Sequence, residues 1–450
     1  MNSKTLRTGL SLVLLAMTLA GCASYSGLNT EGVSLEAKNL KAGQSLSGVT
    51  LSPAAWPKSD WWKSLGDPQL DGLIREALHD SPDMQIADAR AHQASAAAYA
   101  ADAERMPTLD ASAGVSRSRL ARDQDPNGQG DAYSTVRSIN ANFNYNFDLW
   151  GGQRDAWEAA LGQARAAEVD QQAAQLTLAA DVARAYSDLG QAHIVHDLAS
   201  EDLKRTRQML DLSQRRLSSG IDSQYQFQQT ESLQASSEAS LIDAEKRLQS
   251  AKIALAVLLG KGPDRGNEIA RPKILQASAV ALPSVLPAEL LGRRPDLVAA
   301  RWRVEAASKN IDAGKTRFYP NLNLSAAAGA ESLLGDAMFG SASRFFNIAP
   351  TISVPIFDGG RLRADLDARD ADYDLAVAQY NKSLVKALGD VSDTINQLRD
   401  IGRQIGAQQH ATDIAQQSYD TVVQRYGSGI GNYLDVLSIE QQLLQAQRQL

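Results

Sequence analysis

Two long stretches without proline constrain the fold of this chain more than any other feature of its sequence. The first runs from Gly152 to Ser218 and the second from Arg361 to about Tyr426. Because an α-helix rises by a fixed distance per residue, a continuous helix over about 67 residues extends about 100 Å. A helix of that length does not fit inside one compact domain. We therefore predict that these helices pack lengthwise against others, as in coiled coils.

Both helices are predicted to end at glycine-containing turns, after which a second helix returns. The turns read SSGID at 218–222 and GSGIG at 427–431. Glycine just past a helix end adopts the left-handed conformation that terminates the helix. The sequence therefore predicts two long antiparallel helical hairpins.

The two hairpins belong to two copies of one repeated unit. Matching segments follow in the same order along the chain: 81–90 with 294–303, 106–109 with 319–322, 149–153 with 357–361, and 216–221 with 425–430. Glu231 and Glu440 correspond as well. Matches in one order with nearly constant spacing indicate a tandem duplication of a unit of about 210 residues, which is too long for a solenoid repeat.

Each copy also contains a pair of segments in which apolar and polar residues alternate. The clearest is SINANFNYNFD at 138–148, where asparagines alternate with apolar residues. A period of two predicts a β-strand between an apolar and a polar environment. Similar segments lie at 109–115, 321–328 and 347–356.

These strands fit a soluble sheet with one face on a core, and they also fit a membrane. Each is about ten residues long, which is enough to cross a bilayer obliquely. A sheet in a bilayer must close on itself and needs at least about eight strands, so four strands require association with other copies. Two copies would supply about eight strands around a filled lumen, and three would supply about twelve around a duct.

The N-terminus has the features of an exported, lipid-anchored protein. Lys4 and Arg7 precede an apolar run that ends at Leu19, too short for a membrane-spanning helix but typical of a secretory signal. The run leads into LAGC at 19–22, which resembles the lipobox of bacterial lipoproteins, and Cys22 is the only cysteine. We therefore expect Cys22 to be lipidated. The resemblance to bacterial lipoproteins also implies the outer membrane as the destination, because Ala23 stands where aspartate commonly retains such lipoproteins at the inner membrane.

Together these features predict the organisation of the chain. We expect a signal peptide at 1–21, a lipidated N-terminal extension at 22–65, a first repeat at 66–262, a connecting equatorial segment at 263–293 and a second repeat at 294–450. Within the repeats we expect helical stretches at 67–105 and 296–318, strand pairs at 108–147 and 321–357, and helical hairpins at 152–259 and 361–450. Only ten residues follow Glu440, whereas about 29 separate Glu231 from Gly260, so we expect the second repeat to be truncated at its C-terminus.

Several motifs resemble those of one known family. They are WPKSDWWKSLGDPQLDGL at 56–73, FDLWGG at 147–152, LGRRPD at 291–296, YPNL at 319–322 and VPIFDGGR at 354–361. Together they resemble the outer-membrane factors of tripartite efflux systems, the TolC-like family, in its NodT-type lipoprotein branch. The resemblance covers nearly the whole chain after the signal peptide.

The resemblance implies a mainly α fold with a membrane β part. Long antiparallel helical hairpins would form an α-barrel, and four strands per protomer would contribute to a twelve-stranded β-barrel in a homotrimer. It also implies a passive conduit that docks with a periplasmic adaptor (a membrane fusion protein) and an inner-membrane pump to export small molecules. Such a protein is anchored in the outer membrane and extends into the periplasm.

The same resemblance assigns candidate functional residues to the hairpin tips. Gly220, Ile221, Gly429 and Ile430 match the adaptor-contacting turns, while Tyr426 and Asp435 match the gate region. Three copies of Asp435 around one axis would attract cations and repel one another. The sequence departs from the family pattern at three places: Gly431 replaces the arginine of a lock, Gln226 replaces its aspartate partner, and Ser438 replaces an acidic residue.

Other classes of protein are less consistent with the sequence. The formal net charge of -7 argues against nucleic acid as a partner. The sequence contains no G-x-S-x-G motif, no P-loop and no Cys and His cluster, so we expect no enzyme, metal site or cofactor. The alternative is a lipid-anchored periplasmic coiled-coil structural or adaptor protein, but an adaptor should have one hairpin flanked by small β-domains. The exported substrate is not specified by any motif.

Overall fold

A computed structural model of the chain describes residues 24–36, 60–119, 121, 133–273, 294–332, 338–431 and 433–450. The predicted signal peptide, Cys22 and most of the connecting segment at 263–293 lie outside the described residues. The helices, in chain order, are α1 (Pro68–Asp80), α2 (Pro82–Ala103), α3 (Gly152–Ser218), α4 (Gln224–Leu258), α5 (Pro295–Thr316), α6 (Arg361–Gly427) and α7 (Tyr433–Gln449). The strands are β1 (Thr108–Arg119), β2 (Tyr133–Phe147), β3 (Asn321–Ser332) and β4 (Arg344–Ser353).

The long helices α3 and α6 are continuous over 67 residues each, as predicted. Helix α4 returns over 35 residues and helix α7 over 17 residues. Among the described helices, none combines the length and the apolar character that crossing a bilayer requires. The prediction of a mainly helical chain with a four-stranded sheet is confirmed.

The predicted helical stretch at 67–105 is wrong as a single helix. It is divided into α1 and α2 at Ser81, whose backbone is extended with ψ 131°. Pro82 has no N–H to continue the helical ladder and disfavours a helical conformation in the residue before it. Helix α1 begins at a strong cap, since the Asp67 carboxylate accepts hydrogen bonds from the amides of Gln69 and Leu70.

The strands form one antiparallel sheet in the order β1-β2-β3-β4, so β1 and β4 are its edges. Leu109 lies opposite Phe143, and Leu322 lies between Phe147 and Ile352. This register gathers the alternating apolar residues of all four strands on one face and the asparagines and serines on the other. Strand β4 was predicted to begin at Asn347, but pairing starts at Arg344 and ends before the second proline, Pro355.

The helices and strands are divided between two compact units that interleave along the chain. The first unit takes its described residues from Met1–Leu35, Arg90–Asp170 and Arg293–Leu384, and the second from Glu36–Ala89, Gln171–Gly292 and Val385–Leu450. The first unit contains the sheet and a core around Phe318 and Leu366. The second contains a core around Tyr186 and Leu255 and another around Tyr426 and Tyr433. The hairpin turns belong to this second unit.

Candidate functional site

The two hairpin turns have the same backbone geometry. Gly220 has φ +70° and Gly429 has φ +81°, a left-handed conformation that glycine adopts without strain. The amide of Ile221 donates to the carbonyl of Arg216 at 2.9 Å, and the amide of Ile430 donates to that of Arg425 at 3.0 Å. Both turns therefore end their helices by the same glycine-dependent hydrogen-bonding pattern.

The isoleucines after these glycines are exposed at the tips. Ile221 is 62% exposed and Ile430 is 74% exposed. An isoleucine that follows a helix-ending glycine often packs back onto the helix, and neither of these is covered in that way. Exposed apolar side chains at equivalent positions of two turns are suited to contact with a partner protein.

A buried polar cluster joins the two turns. The hydroxyl of Tyr426 donates to Oδ2 of Asp222 at 2.6 Å, and Nε of Arg216 lies 3.0 Å from Oδ1 of the same carboxylate. The Arg216 guanidinium also donates to the Tyr426 carbonyl at 3.1 Å and lies 4.4 Å from the centre of the Tyr426 ring. Arg216 and Asp222 come from the first hairpin and Tyr426 from the second, so this cluster connects the tips of both hairpins.

Burial decides the electrostatics of this cluster. Tyr426 is 1% exposed, and burial, followed by the hydrogen bond to Asp222, raises its pKa well above the ordinary value. The phenol therefore remains a hydrogen-bond donor at neutral pH. The buried Asp222 carboxylate has Arg216 as its cationic partner, as a buried charge requires.

A second tyrosine extends the cluster to helices α4 and α7. The hydroxyls of Tyr433 and Thr230 form a hydrogen bond at 2.7 Å, and the Tyr433 ring lies 5.9 Å from the Tyr426 ring. Burial raises the pKa of Tyr433 as well. Residues from helices α3, α4, α6 and α7 therefore meet behind the two turns.

The structure does not place the two predicted gate residues in one cluster. Tyr426 is buried, whereas Asp435 is exposed in the first turn of helix α7. Tyr433 and Val436 are buried on either side of it in the sequence, so the Asp435 carboxylate points away from the packed face of the helix. There it also complements the positive end of the helix dipole.

Two departures from the family pattern have a local structural role here. Gln226 forms a capping box with Ser223. The Gln226 Oε1 accepts a hydrogen bond from the Ser223 backbone amide at 2.7 Å, and the Gln226 backbone amide donates to Oγ of Ser223 at 3.3 Å. Gly431 lies against helix α6, where an added Cβ would be 2.8 Å from the backbone nitrogen of Tyr426. A larger side chain at position 431 would therefore displace the backbone next to the tyrosine.

Sequence reasoning missed Asp222, Arg216, Thr230 and Tyr433. The comparison of the repeats could have indicated Asp222, because the two copies differ at that position, whereas Arg216 corresponds to another arginine, Arg425. Asp222 corresponds to Gly431, and Leu217 corresponds to Tyr426. An acid in one copy and a tyrosine in the other are complementary hydrogen-bonding groups at equivalent turns.

A buried carboxyl group lies deeper in the same part of the molecule. Glu440 is 2% exposed, and neither of its carboxylate oxygens has a hydrogen-bond partner among the described residues. Burial, followed by the nearby charge of Asp202, raises the pKa of Glu440 to about 7, while Arg205 acts in the opposite direction. Burial is the main cause that raises the pKa of Tyr419 to about 12, and the nearby charge of Glu440 is the second.

Within the described residues, no cluster of three or more His, Cys, Asp or Glu side chains is arranged to hold a metal.

Solved structures share this fold. The outer membrane protein VceC from Vibrio cholerae is 34% identical, with a TM-score of 0.81 over 88% of this chain and 94% of that one. The outer-membrane channel OprN is 25% identical, with a TM-score of 0.82 over 93% of this chain and 94% of that one. The fold of this chain, with its tandem helical hairpins and four-stranded sheet, is thus shared with known outer-membrane proteins.

Sequence comparisons identify the protein family of the chain. The profile of the outer membrane efflux protein family matches residues 73–261 and 286–450, and the chain belongs to this family. The fusaric acid resistance protein FusA of Burkholderia cepacia is 36% identical over 381 residues, covering 82% of this chain and 71% of that protein. The pyoverdine export outer membrane protein OpmQ of Pseudomonas aeruginosa is 31% identical over 445 residues, covering 97% of this chain and 91% of that protein.

The chain is therefore an outer-membrane channel component of an efflux system, and it is localised to the outer membrane and the periplasm beneath it. Its relatives are efflux channels rather than enzymes. The alternative of a periplasmic coiled-coil structural or adaptor protein receives no support from these comparisons.

Proposed function

We propose that three copies of this chain form one passive export duct, closed at the hairpin tips and opened when the tips engage a periplasmic adaptor. The observation that carries this proposal is the sheet, whose four strands leave β1 and β4 as edges. A strand edge cannot face lipid because its backbone groups would lose their hydrogen bonds. Pairing of β4 with β1 of the next copy removes both edges, and three copies give about twelve strands.

The two faces of the sheet fit this arrangement. Phe143, Tyr145 and Phe147 belong to the apolar face, and the Tyr145 and Phe147 rings contact each other with centres 4.8 Å apart. The hydroxyl of Ser112 bonds to Asn140 on the opposite face. In the proposed barrel the aromatic face contacts lipid and the asparagine face lines the aqueous duct, as in other membrane barrels.

In this proposal the buried cluster at the tips holds the closed state. Tyr426 ties the second hairpin to Asp222 and Arg216 of the first, so separating the hairpins breaks charge-assisted hydrogen bonds. Asp435 forms a separate element of the gate. Its exposed carboxylate, repeated three times around the axis, would make the constriction cation-selective.

The tips themselves are the proposed contact with the adaptor, which in turn joins the channel to an inner-membrane pump. Ile221 and Ile430 supply two exposed apolar contacts per protomer beside Gly220 and Gly429. Fusaric acid resistance and pyoverdine export are named for relatives that match this chain over most of its length. Different exported compounds within one family are consistent with a passive duct for small molecules that has no enzymatic activity of its own. In this proposal the pump selects the exported compound.

Lipidation of Cys22 completes the proposal. The LAGC sequence at 19–22 supports a lipid anchor in the outer membrane in addition to the barrel. We expect the wild-type protein to incorporate labelled palmitate and Cys22→Ser to lose the label. Equal labelling of both proteins would refute this part.

The gate is tested by single-channel conductance of the purified protein in planar bilayers. We expect a low wild-type conductance that rises several-fold in a Tyr426→Phe, Asp222→Asn double variant, because the bond between the hairpins is lost. Tyr419→Phe is the matched control, since Tyr419 is also a buried tyrosine in the same core. A double variant with wild-type conductance would contradict the proposed gate.

A further inference from the structure

Arginines occupy one end of the apolar face of the sheet. Arg117, Arg137 and Arg344 lie on strands β1, β2 and β4, and each is exposed. Arg119 follows at the next position of the same face on β1. We call Arg117, Arg137 and Arg344 the arginine rim.

The register places the rim on the apolar face and not on the face that lines the proposed duct. Arg137 lies opposite Val115, and Arg344 lies opposite Ala330, which is itself opposite Ile139. Side chains directly opposite each other in neighbouring strands share a face. The guanidinium of Arg117 stacks on the Tyr133 ring at 5.0 Å, and both belong to that face. On the polar face, the described strand residues include no lysine or arginine.

The rim lies at the hairpin-loop end of the sheet. Arg117 lies near the end of β1, Arg137 lies near the start of β2 and Arg344 begins β4, so all three are close to the segments that join β1 to β2 and β3 to β4. The opposite strand ends lead to helices α2, α3, α5 and α6. Because the helices of an outer-membrane efflux channel lie on the periplasmic side, the loop end is the outer surface. The arginine rim therefore faces the outer leaflet.

The opposite end of the sheet carries different chemistry. There the ring of Trp150 stacks on that of Tyr319 with centres 4.9 Å apart, and its indole N–H donates to the Pro320 carbonyl at 2.7 Å. Indole and phenol rings are the usual side chains at a membrane–water interface. The two ends of the sheet thus differ in charge: the Trp150–Tyr319 pair is uncharged, whereas the arginine rim is cationic.

Three positive charges at the edge of a lipid-facing surface are suited to an anionic partner. No ion pair links Arg117, Arg137 or Arg344 to an acidic side chain among the residues that the structure describes; Arg344 donates to the Phe339 carbonyl and Arg117 stacks on Tyr133. Arginine on the lipid face of a barrel is tolerated near the interface at roughly 0–1 kcal/mol, which permits the rim but does not explain its charge. The planar guanidinium forms paired hydrogen bonds with phosphate, which gives the rim a specific ligand.

We propose that the arginine rim binds the phosphate groups of lipopolysaccharide in the outer leaflet. This inference rests on the proposed barrel, which turns the apolar face toward lipid. In a trimer the rim would recur three times around the circumference, so several lipopolysaccharide molecules would be held at once. The contacts would fix the height of the barrel in the membrane at its cationic rim.

The test compares binding of fluorescently labelled lipopolysaccharide to the full-length protein in mild detergent. We expect the wild type to bind at least about tenfold more tightly than an Arg117→Gln, Arg137→Gln, Arg344→Gln variant, because charge-assisted hydrogen bonds are lost. The matched control removes the same charge at Arg75, Arg247 and Arg403, which are exposed on helices and paired with acids on the same helix. Control binding should equal that of the wild type.

Two further comparisons use the wild-type protein alone and therefore do not depend on folding of a variant. Enzymatically dephosphorylated lipopolysaccharide should bind at least about tenfold more weakly than the intact lipid. Vesicles of phosphatidylglycerol should compete poorly. Equal binding of intact and dephosphorylated lipid, or equal competition by phosphatidylglycerol, would overturn the assignment. Native mass and conductance, measured on the same sample, separate a failure of the rim from a failure of the proposed duct.

Discussion

The turns of the two hairpins have the same backbone geometry but carry different side chains. Both end a helix of 67 residues with a left-handed glycine and an exposed isoleucine. Behind the first turn lie Arg216 and Asp222, and behind the second lies Tyr426. Neither set is complete alone, because the acid of one copy bonds to the tyrosine of the other.

This difference shows how a duplication can produce a site that neither copy had. Two identical turns would present identical groups to each other, and two carboxylates of equal charge repel rather than pair. Divergence of single positions, such as Asp222 against Gly431, allows the turns to become complementary while the glycine geometry is kept. Changing Arg216, Glu440 or Gly431 alters one copy only, so the corresponding or a neighbouring position serves as the control.

The largest effect is expected from Arg216→Ala. This change leaves the buried Asp222 carboxylate without its cation, and breaking a buried ion pair costs about 3–5 kcal/mol. The free energy of local opening at the tip, measured by amide hydrogen exchange, should fall by about that amount. Arg425→Ala is the control because Arg425 is the exposed counterpart, and its effect should stay within about 0.5 kcal/mol. Equal effects of the two changes would contradict the asymmetry of the turns.

Glu440 provides the next prediction. Its pKa is raised from about 4.5 to about 7, so the folded protein keeps this proton while the unfolded chain loses it. The folded state therefore binds more protons over this range, and stability falls as pH rises from about 4.5 to about 7. Glu440→Gln should remove this dependence and stabilise the protein above pH 7 by at most about 3 kcal/mol.

Calorimetric unfolding midpoints between about pH 5 and pH 8 test the behaviour of Glu440. The groups around it, Asp202, Arg205 and Tyr419, are unchanged in the variant. Glu231→Gln is the control, since Glu231 occupies the corresponding position of the first repeat and is exposed. If Glu231→Gln changed the pH profile as strongly as Glu440→Gln, burial of Glu440 would not be the cause.

Gly431→Ala should have a smaller effect. The added methyl group would lie 2.8 Å from the backbone nitrogen of Tyr426 and 3.1 Å from the carbonyl carbon of Arg425, and a backbone cannot move aside cheaply. Overpacking of this kind costs about 1–3 kcal/mol, which hydrogen exchange near Tyr426 would register. Gly427→Ala is the control because its added methyl group meets no atom within 4 Å. If Gly427→Ala destabilised the protein and Gly431→Ala did not, the packing argument would be disproved.

The smallest effect on stability is expected for Ile221→Ser and Ile430→Ser. Both side chains are mainly exposed, so the free energy of unfolding should change by less than about 0.5 kcal/mol. Binding of a purified adaptor to the channel should nevertheless weaken, because apolar contacts are removed from the tips. Unchanged adaptor binding in the double variant would remove these residues from the docking surface.

The sequence predicted the elements of the fold well because their patterns are long and regular. The proline-free runs gave helices α3 and α6, and the alternation around Asn142 gave strand β2. The same alternation, extended by two residues from Ile139, already places Arg137 on the apolar face. The break at Ser81 was missed, although Pro82 is a strong local signal.

The buried cluster at the tips was less accessible to sequence reasoning. Tyr426 and Asp222 are far apart in the chain, and their bond depends on how α3 packs against α6. No periodic pattern records such a pairing. The burial of Glu440 has the same origin, since a glutamate in a polar helical stretch reads as a solvated residue until its neighbours are known.

In the proposed assembly, three chains build one duct. The native mass of the detergent-extracted protein tests it most directly. We predict a particle containing three chains, in which the sheet edges β1 and β4 are paired between neighbours. A monomer that persists in mild detergent would leave both edges unpaired and would contradict the trimeric barrel.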